Sequence, residues 1–163
     1  MLKLTKKADY GLIALKHLAE SSAHGVADAA SAKDIADAYD LPQEALAKIL
    51  QRLAKAGLLV SSHGINGGYV LAREPKQISA FEVIRAIEGP LFITSCSTHH
   101  GDCQQLSKCN VKEPLRKVNE GIQGLLNGIS IADMMDPEGP RQRAESADES
   151  KAGSSPSNLV TLG

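Results

Sequence analysis

Residues 31–72 read SAKDIADAYDLPQEALAKILQRLAKAGLLVSSHGINGGYVLA, and the hydrophobic period changes once within them, from helical to alternating. Ser31-Ala32-Lys33-Asp34 has the form of a capping box, an N-cap serine with an acid three residues on, and it opens a short helix through Ile35, Ala36 and Tyr39. Asp40-Leu41-Pro42 forms a three-residue turn, with Pro42 suited to the first position of the next helix. That helix, expected over residues 42–56, buries Leu46, Ile49, Leu50 and Leu53 and exposes Gln43, Glu44, Ala47, Lys48, Gln51, Arg52 and Lys55. Gly57 ends it. Two short helices around a tight turn, the second lined with hydrogen-bonding side chains, form a helix-turn-helix, whose second helix fits a DNA major groove.

Past Gly57 the period becomes two. Leu58 to Ser62 reads as a strand, His63 to Gly68 as a glycine-rich turn and Tyr69 to Ala72 as the return strand. A hairpin directly behind a helix-turn-helix is a wing, and its tip presents His63 and Asn66. The fold class expected is therefore mainly α: a winged helix-turn-helix with a two-stranded wing, followed by a long C-terminal dimerisation helix.

Outward from this unit, residues 4–22 form a helix capped by Thr5, with Ala8, Leu12, Leu15, Leu18 and Ala19 as its apolar stripe. Lys6 and Lys7 lie in its first turn, against the helix dipole, which suits a neighbouring phosphate. Residues 21–30 read as a polar loop. Downstream, Ser79 and Glu82 box the start of a helix with Phe81, Val83, Ile84 and Ile87 on its apolar face, and Gly89-Pro90 stops it. Pro114 opens a long helix in which Leu115, Val118, Ile122, Leu125 and Ile129 step like a coiled-coil seam, suited to a homodimer. Residues 129–135 form a short apolar appendix, and from Asp136 the composition is that of a disordered tail. Three segments result: a DNA-binding domain over 1–78, a metal-binding loop with dimerisation helices over 79–135, and the tail over 136–163.

Composition narrows the function. The 163 residues are 42% hydrophobic but only 3% aromatic, so the core is built from aliphatic side chains. Net charge is -1, and residues 1–80 carry 10 Lys and Arg against 8 Asp and Glu, so nucleic-acid binding must rest on where the cations fall. The N-terminus does not read as an export signal, and no apolar run could span a membrane, so a cytoplasmic protein with reduced thiols is expected. Nucleotide loops and paired catalytic carboxylates are lacking, which argues against an enzyme or a small-molecule substrate.

All three cysteines, Cys96, Cys103 and Cys109, fall within 14 residues together with His99 and His100. In a reducing compartment three such thiols read as ligands to a soft metal. Thiolates suit an iron-sulfur cluster, with histidine, carboxylate or water replacing a missing fourth thiolate. Three cysteines and one histidine would equally suit a structural zinc ion, and bare thiols could act as a redox switch.

Leu4-Thr5-Lys6, the run Leu53-Ala54-Lys55-Ala56-Gly57-Leu58-Leu59, the wing from Gly64 to Leu71 and three cysteines ahead of a long helix together resemble the Rrf2 family of bacterial winged-helix regulators. That family includes IscR-like proteins and nitric-oxide-sensing repressors, and the resemblance is nearest to regulators of Suf-type cluster assembly. It implies a homodimer on double-stranded promoter DNA, with one iron-sulfur cluster per subunit, of the 2Fe-2S or 4Fe-4S type. It implies the three cysteines as ligands, and Asp9 as the fourth, placed as in the nitric-oxide-sensing branch, ahead of His99 or His100. Expected base contacts are Gln43, Glu44, Lys48 and Arg52, with His63 and Asn66 from the wing; expected phosphate contacts are Lys6, Lys7, Ser31 and Lys33. Three positions depart from the IscR-like pattern. His63 stands in place of a wing arginine, Lys112 in place of a ligating histidine, and six residues rather than five separate the first two cysteines.

Overall fold

The computed structural model describes residues 4–23, 29–64, 67–92 and 107–135. Six helices and one hairpin follow in order: α1 (Lys6–Ala23), α2 (Ala32–Tyr39), α3 (Gln43–Lys55), β1 (Leu59–Ser62), β2 (Gly68–Leu71), α4 (Ala80–Glu88), α5 (Lys112–Asn127) and α6 (Ile131–Met135), with a 3-10 turn at Pro75–Gln77. Among the described residues no helix is long and apolar enough to cross a membrane.

The helix ends follow the capping chemistry. Ser31 Oγ accepts from Asp34 N–H at 3.2 Å while Ser31 N–H donates to Asp34 Oδ2 at 2.9 Å, closing the box on α2. Asp40 then takes a left-handed conformation, φ 52°, so that its N–H and that of Leu41 return to Ala36 O. Pro42 stands at the N-cap of α3 rather than within its first turn. At the other end Gly57 (φ 76°) donates to Ala54 O, and Leu58 donates to Leu53 O at 3.0 Å; this is a Schellman motif whose outer residues Leu53 and Leu58 are both buried.

The hairpin pairs Leu59 with Leu71 and Ser62 with Gly68. Its return strand is bound on the other side as well, because Ala30 exchanges two backbone hydrogen bonds with Tyr69, at 3.2 and 2.9 Å. Ala30 thus belongs to the sheet, whereas the sequence reading placed it in a loop; an isolated bridge has no period by which to recognise it. The approach is so close that a β-carbon on Gly68 would lie 2.5 Å from Ala30 C and O.

Helix α1 is the hub. Ala14, Leu15, Leu18 and Ala19 join Ile35, Leu46, Leu50 and Leu53 of the helix-turn-helix, together with Val83 and Ile87 of α4 and Ile131 of α6, in one core. Leu12, expected on this stripe, packs only partly buried at its edge. Residues 129–135 are more than an appendix. Ser130 and Asp133 form a third capping box, Ala80 N–H donates to Ile129 O at 2.8 Å, and Ile131 N–H donates to Ile78 O at 2.9 Å, so α6 is stitched to the start of α4.

Helix α5 begins at Lys112, ahead of Pro114, and behaves differently. Its inner side is tied by Gln123 Nε2 donating to Leu91 O at 3.1 Å, and Asn119 is its one buried residue. Of the expected seam, Leu115, Ile122 and Ile129 are half-buried against the chain, while Val118 and Leu125 face outward, 51% and 67% exposed. Val111, 51% exposed, lies seven residues before Val118, which itself lies seven before Leu125, so the outward stripe runs at heptad spacing.

Gly68→Ala forces its methyl into backbone that cannot swing aside. It should lower unfolding stability by about 1–3 kcal/mol in urea titration, with loss of protection at the amides of Ala30 and Tyr69. The helix caps predict an acid limit as well. Hydrogen bonds from the Ser31 side chain and backbone hold Asp34 below the ordinary 3.8. For Glu82 burial acts upward, but donors from Arg73 and Ser79 outweigh it and leave the group below 4.5. Both folded-state values lie below the unfolded ones, so this stabilisation is complete above the unfolded values and is lost as pH falls through the folded ones. Thermal scans should show Tm falling once pH drops below about 4, less steeply in Glu82→Gln.

Candidate nucleic-acid interface and metal centre

Helix α3 shows the solvent two rows of side chains, set by the four-residue helical step. Gln43, Gln51 and Lys55 are exposed along one row, with Ala47 half-buried between them. Glu44, Lys48 and Arg52 form the other, and with Lys7, Pro42, Ala45 and Ile49 they line an open groove of about 410 Å³ between α3 and the first turn of α1. Three cations and one carboxylate give this groove a net positive charge, suited to a phosphate backbone. Pro42 offers no side-chain cap, so the first N–H groups of α3 remain open to an anion.

Gln43, Glu44, Lys48, Lys6, Lys7 and Lys33 are all exposed, as expected for contacts. Arg52 is exposed too, but it is engaged within the chain: its Nη1 donates to Ile87 O of α4 at 3.1 Å. Ser31 is similarly committed, its hydroxyl lying 2.6 Å from Asp34 Oδ2, which makes it a poorer phosphate contact than its place in the sequence implies. His63 is exposed at the end of β1, and Gly67 N–H donates to Gly64 O at 3.1 Å across the wing turn. Asn66 lies outside the described residues. Gln51 and Lys55 join the expected contacts, because they share an exposed row with Gln43, an alignment that the four-residue spacing already implies.

Of the candidate metal ligands, Cys109 and Asp9 fall within the described residues, whereas Cys96, His99, His100 and Cys103 lie outside them. Cys109 is a free, half-buried thiol just ahead of α5, flanked in sequence by Lys108 and Lys112. Asp9 is exposed in the first turn of α1. Among the described residues no three His, Cys, Asp or Glu side chains gather around one point. The donor chemistry itself fits an iron-sulfur cluster: three thiols in one short segment, one of them free and half-accessible beside cations that suit an anionic centre.

A helix-turn-helix backed by a two-stranded wing, with a cationic groove beside its second helix, defines a DNA-binding transcriptional regulator rather than an enzyme. The chain belongs to the Rrf2 family, described as iron-dependent transcriptional regulators, which matches residues 4–137. It is 31% identical over 134 residues to the HTH-type transcriptional regulator IscR of Cronobacter sakazakii, covering 82% of this chain and 80% of that one. It is 29% identical over 137 residues to an rrf2-like HTH-type regulator of Rhodobacter capsulatus, covering 81% and 91%. Among solved structures it is similar to IscR of T. potens, with TM-score 0.61, 29% identity and coverage of 96% and 94%. It is also similar to CymR, the global cysteine regulator of B. subtilis, with TM-score 0.66, 29% identity and coverage of 83% and 97%.

Lys48→Ala should weaken binding by the same factor on operator and on random duplex, and reduce the slope of log K against log salt by about 1. A loss confined to the operator would instead make Lys48 a reader of base edges.

Proposed function

We propose that the protein is a cytoplasmic homodimeric regulator whose hold on promoter DNA is controlled by an iron-sulfur cluster, one per subunit, of the 2Fe-2S or 4Fe-4S type. Cys96, Cys103 and Cys109 hold it, and Asp9 from the other subunit completes the set ahead of His99 or His100. The observation that carries this reading is the place of Cys109, a free thiol at the head of α5, the helix whose outward stripe of Val111, Val118 and Leu125 is left open by its own chain. A second subunit packed on that stripe would place two helix-turn-helix units on two half-sites.

When bound, such a cluster supplies a redox-active centre that oxygen or nitric oxide can attack. The chain's own residues do the rest. Cys96, Cys103, Cys109 and Asp9 would hold the cluster, and a ligand set shared between two subunits would couple its presence to the spacing of the two recognition helices. Gln43, Gln51 and Lys55, with Glu44, face the major groove; His63 reaches from the wing, and Asn66 is a further candidate contact; Lys6, Lys7, Lys33, Lys48 and the start of α2 at Ser31 hold phosphates. Arg52 joins them through the groove that it lines. Genes of iron-sulfur assembly, iron supply or the redox and nitric oxide response are the fitting targets.

A second reading, in which the same thiols act as a redox switch or hold zinc without iron, follows from the same donor chemistry, and the chain is as similar in sequence to CymR, a cysteine regulator, as to the T. potens IscR. Air-free purification separates the two. Brown or red protein containing iron and sulfide, whose operator affinity changes by about 5- to 150-fold on chelation at fixed salt, supports the cluster. Colourless protein with unchanged affinity supports the second reading.

A further inference from the structure

Three elements meet at the carboxyl end of α4. Ile87 is 5% exposed, and its Cδ1 occupies the space over Gly11 of α1, 2.2 Å from where a β-carbon would stand. Glu88, the last residue of α4, accepts a hydrogen bond from the Thr5 hydroxyl at the head of α1. Ile87 O, one of the carbonyls that a helix end leaves without an intrahelical partner, accepts from Arg52 of α3 at 3.1 Å. A guanidinium placed on the negative end of α4 makes a charge-assisted bond, stronger than a neutral one. Arg52 also lines the groove with Lys7, Glu44 and Lys48. Nine residues after Ile87 stands Cys96, so the chain that receives this bond runs on into the segment of the thiols.

We infer that Arg52 is a positioning residue: it fastens the recognition helix to the carboxyl end of α4, and through that bond the state of the cysteine segment sets how α3 lies against DNA. The inference rests on the iron-sulfur reading for the signal, and on the geometry at Ile87 for the link. A pure DNA contact would need no partner on α4, and a pure structural tie would not have to line the groove. Any displacement of the carboxyl end of α4 carries Ile87 O with it and pulls on Arg52, while Ile87, wedged over Gly11, keeps that end close to α1.

The test compares wild type with Arg52→Gln, whose amide is too short to reach Ile87 O, and with Lys48→Gln, which removes a charge from the same row without breaking any such bond among the described residues. Operator affinity is measured at one salt concentration, air-free and after iron chelation. Wild type should show a ratio of about 5- to 150-fold between the two states. In Arg52→Gln that ratio should fall to within about 2-fold of one, while Lys48→Gln, weaker in both states, keeps it. Arg52→Gln with the wild-type ratio overturns the proposal, leaving Arg52 as a DNA contact only. A wild-type ratio near one overturns the iron-sulfur reading, and the link is then judged by hydrogen exchange alone. Amides of the last turn of α4 should exchange about 10-fold faster in Arg52→Gln, with α1 and α2 unchanged and Tm close to wild type; unaltered exchange there overturns the link too.

Discussion

Gly11 has no side chain, and the end of Ile87 fills the space where one would begin. That vacancy lets α4 lie directly across α1 while Ile49 of α3 closes in from the side, 3.5 Å from the same point. Close packing of three helices around one glycine is what lets a chain with only 3% aromatic residues form a single core, because small and aliphatic side chains exclude water only when backbones come near. α3 is mounted on this contact. It is buried along Leu46, Ile49, Leu50 and Leu53, and its opposite rows are largely exposed, with Arg52 bonded to Ile87 O.

The wing depends on a second close approach. β1 and β2 pair over only four residues each, too short a hairpin to be stable alone. It is secured by Leu58 and Leu59 in the core and by the bridge from Ala30 to Tyr69, which Gly68 makes room for. The wing is thereby tied to Ala30, two residues before α2, which joins it to the helix-turn-helix.

The carboxyl end of α4 and the head of α5 bracket the thiols in sequence, and Gln123, in the second half of α5, donates to Leu91 O just past α4. Helix α5 is also tied by the Ser79 hydroxyl, which donates to Asn127 Oδ1 at 3.3 Å, yet Asn119 is its one buried residue and its apolar stripe turns away from the core. A helix so placed favours association with a second apolar surface, and the family to which the chain belongs gives that surface a context in transcription.

Much of this was legible from residue order alone, for local reasons. The boxes at Ser31 and Ser79, the left-handed glycine at 57, the buried stripe of α3 and the period-two hairpin all depend on neighbours within a few positions. So does the clustering of three cysteines. Other features require distant residues to meet. Ala30 has no sequence mark of a strand; the capping box at Ser130 opens a helix of only five residues, too short to show a helical period; and Leu115 and Ile122 read like Val118 until α5 is set against the chain. Arg52 shows the division most plainly. Its place on an exposed helical row follows from spacing of 3.6 residues per turn, but its bond to Ile87 O joins residues 35 apart, and only the packing of α3 across α4 could bring a guanidinium to that carbonyl.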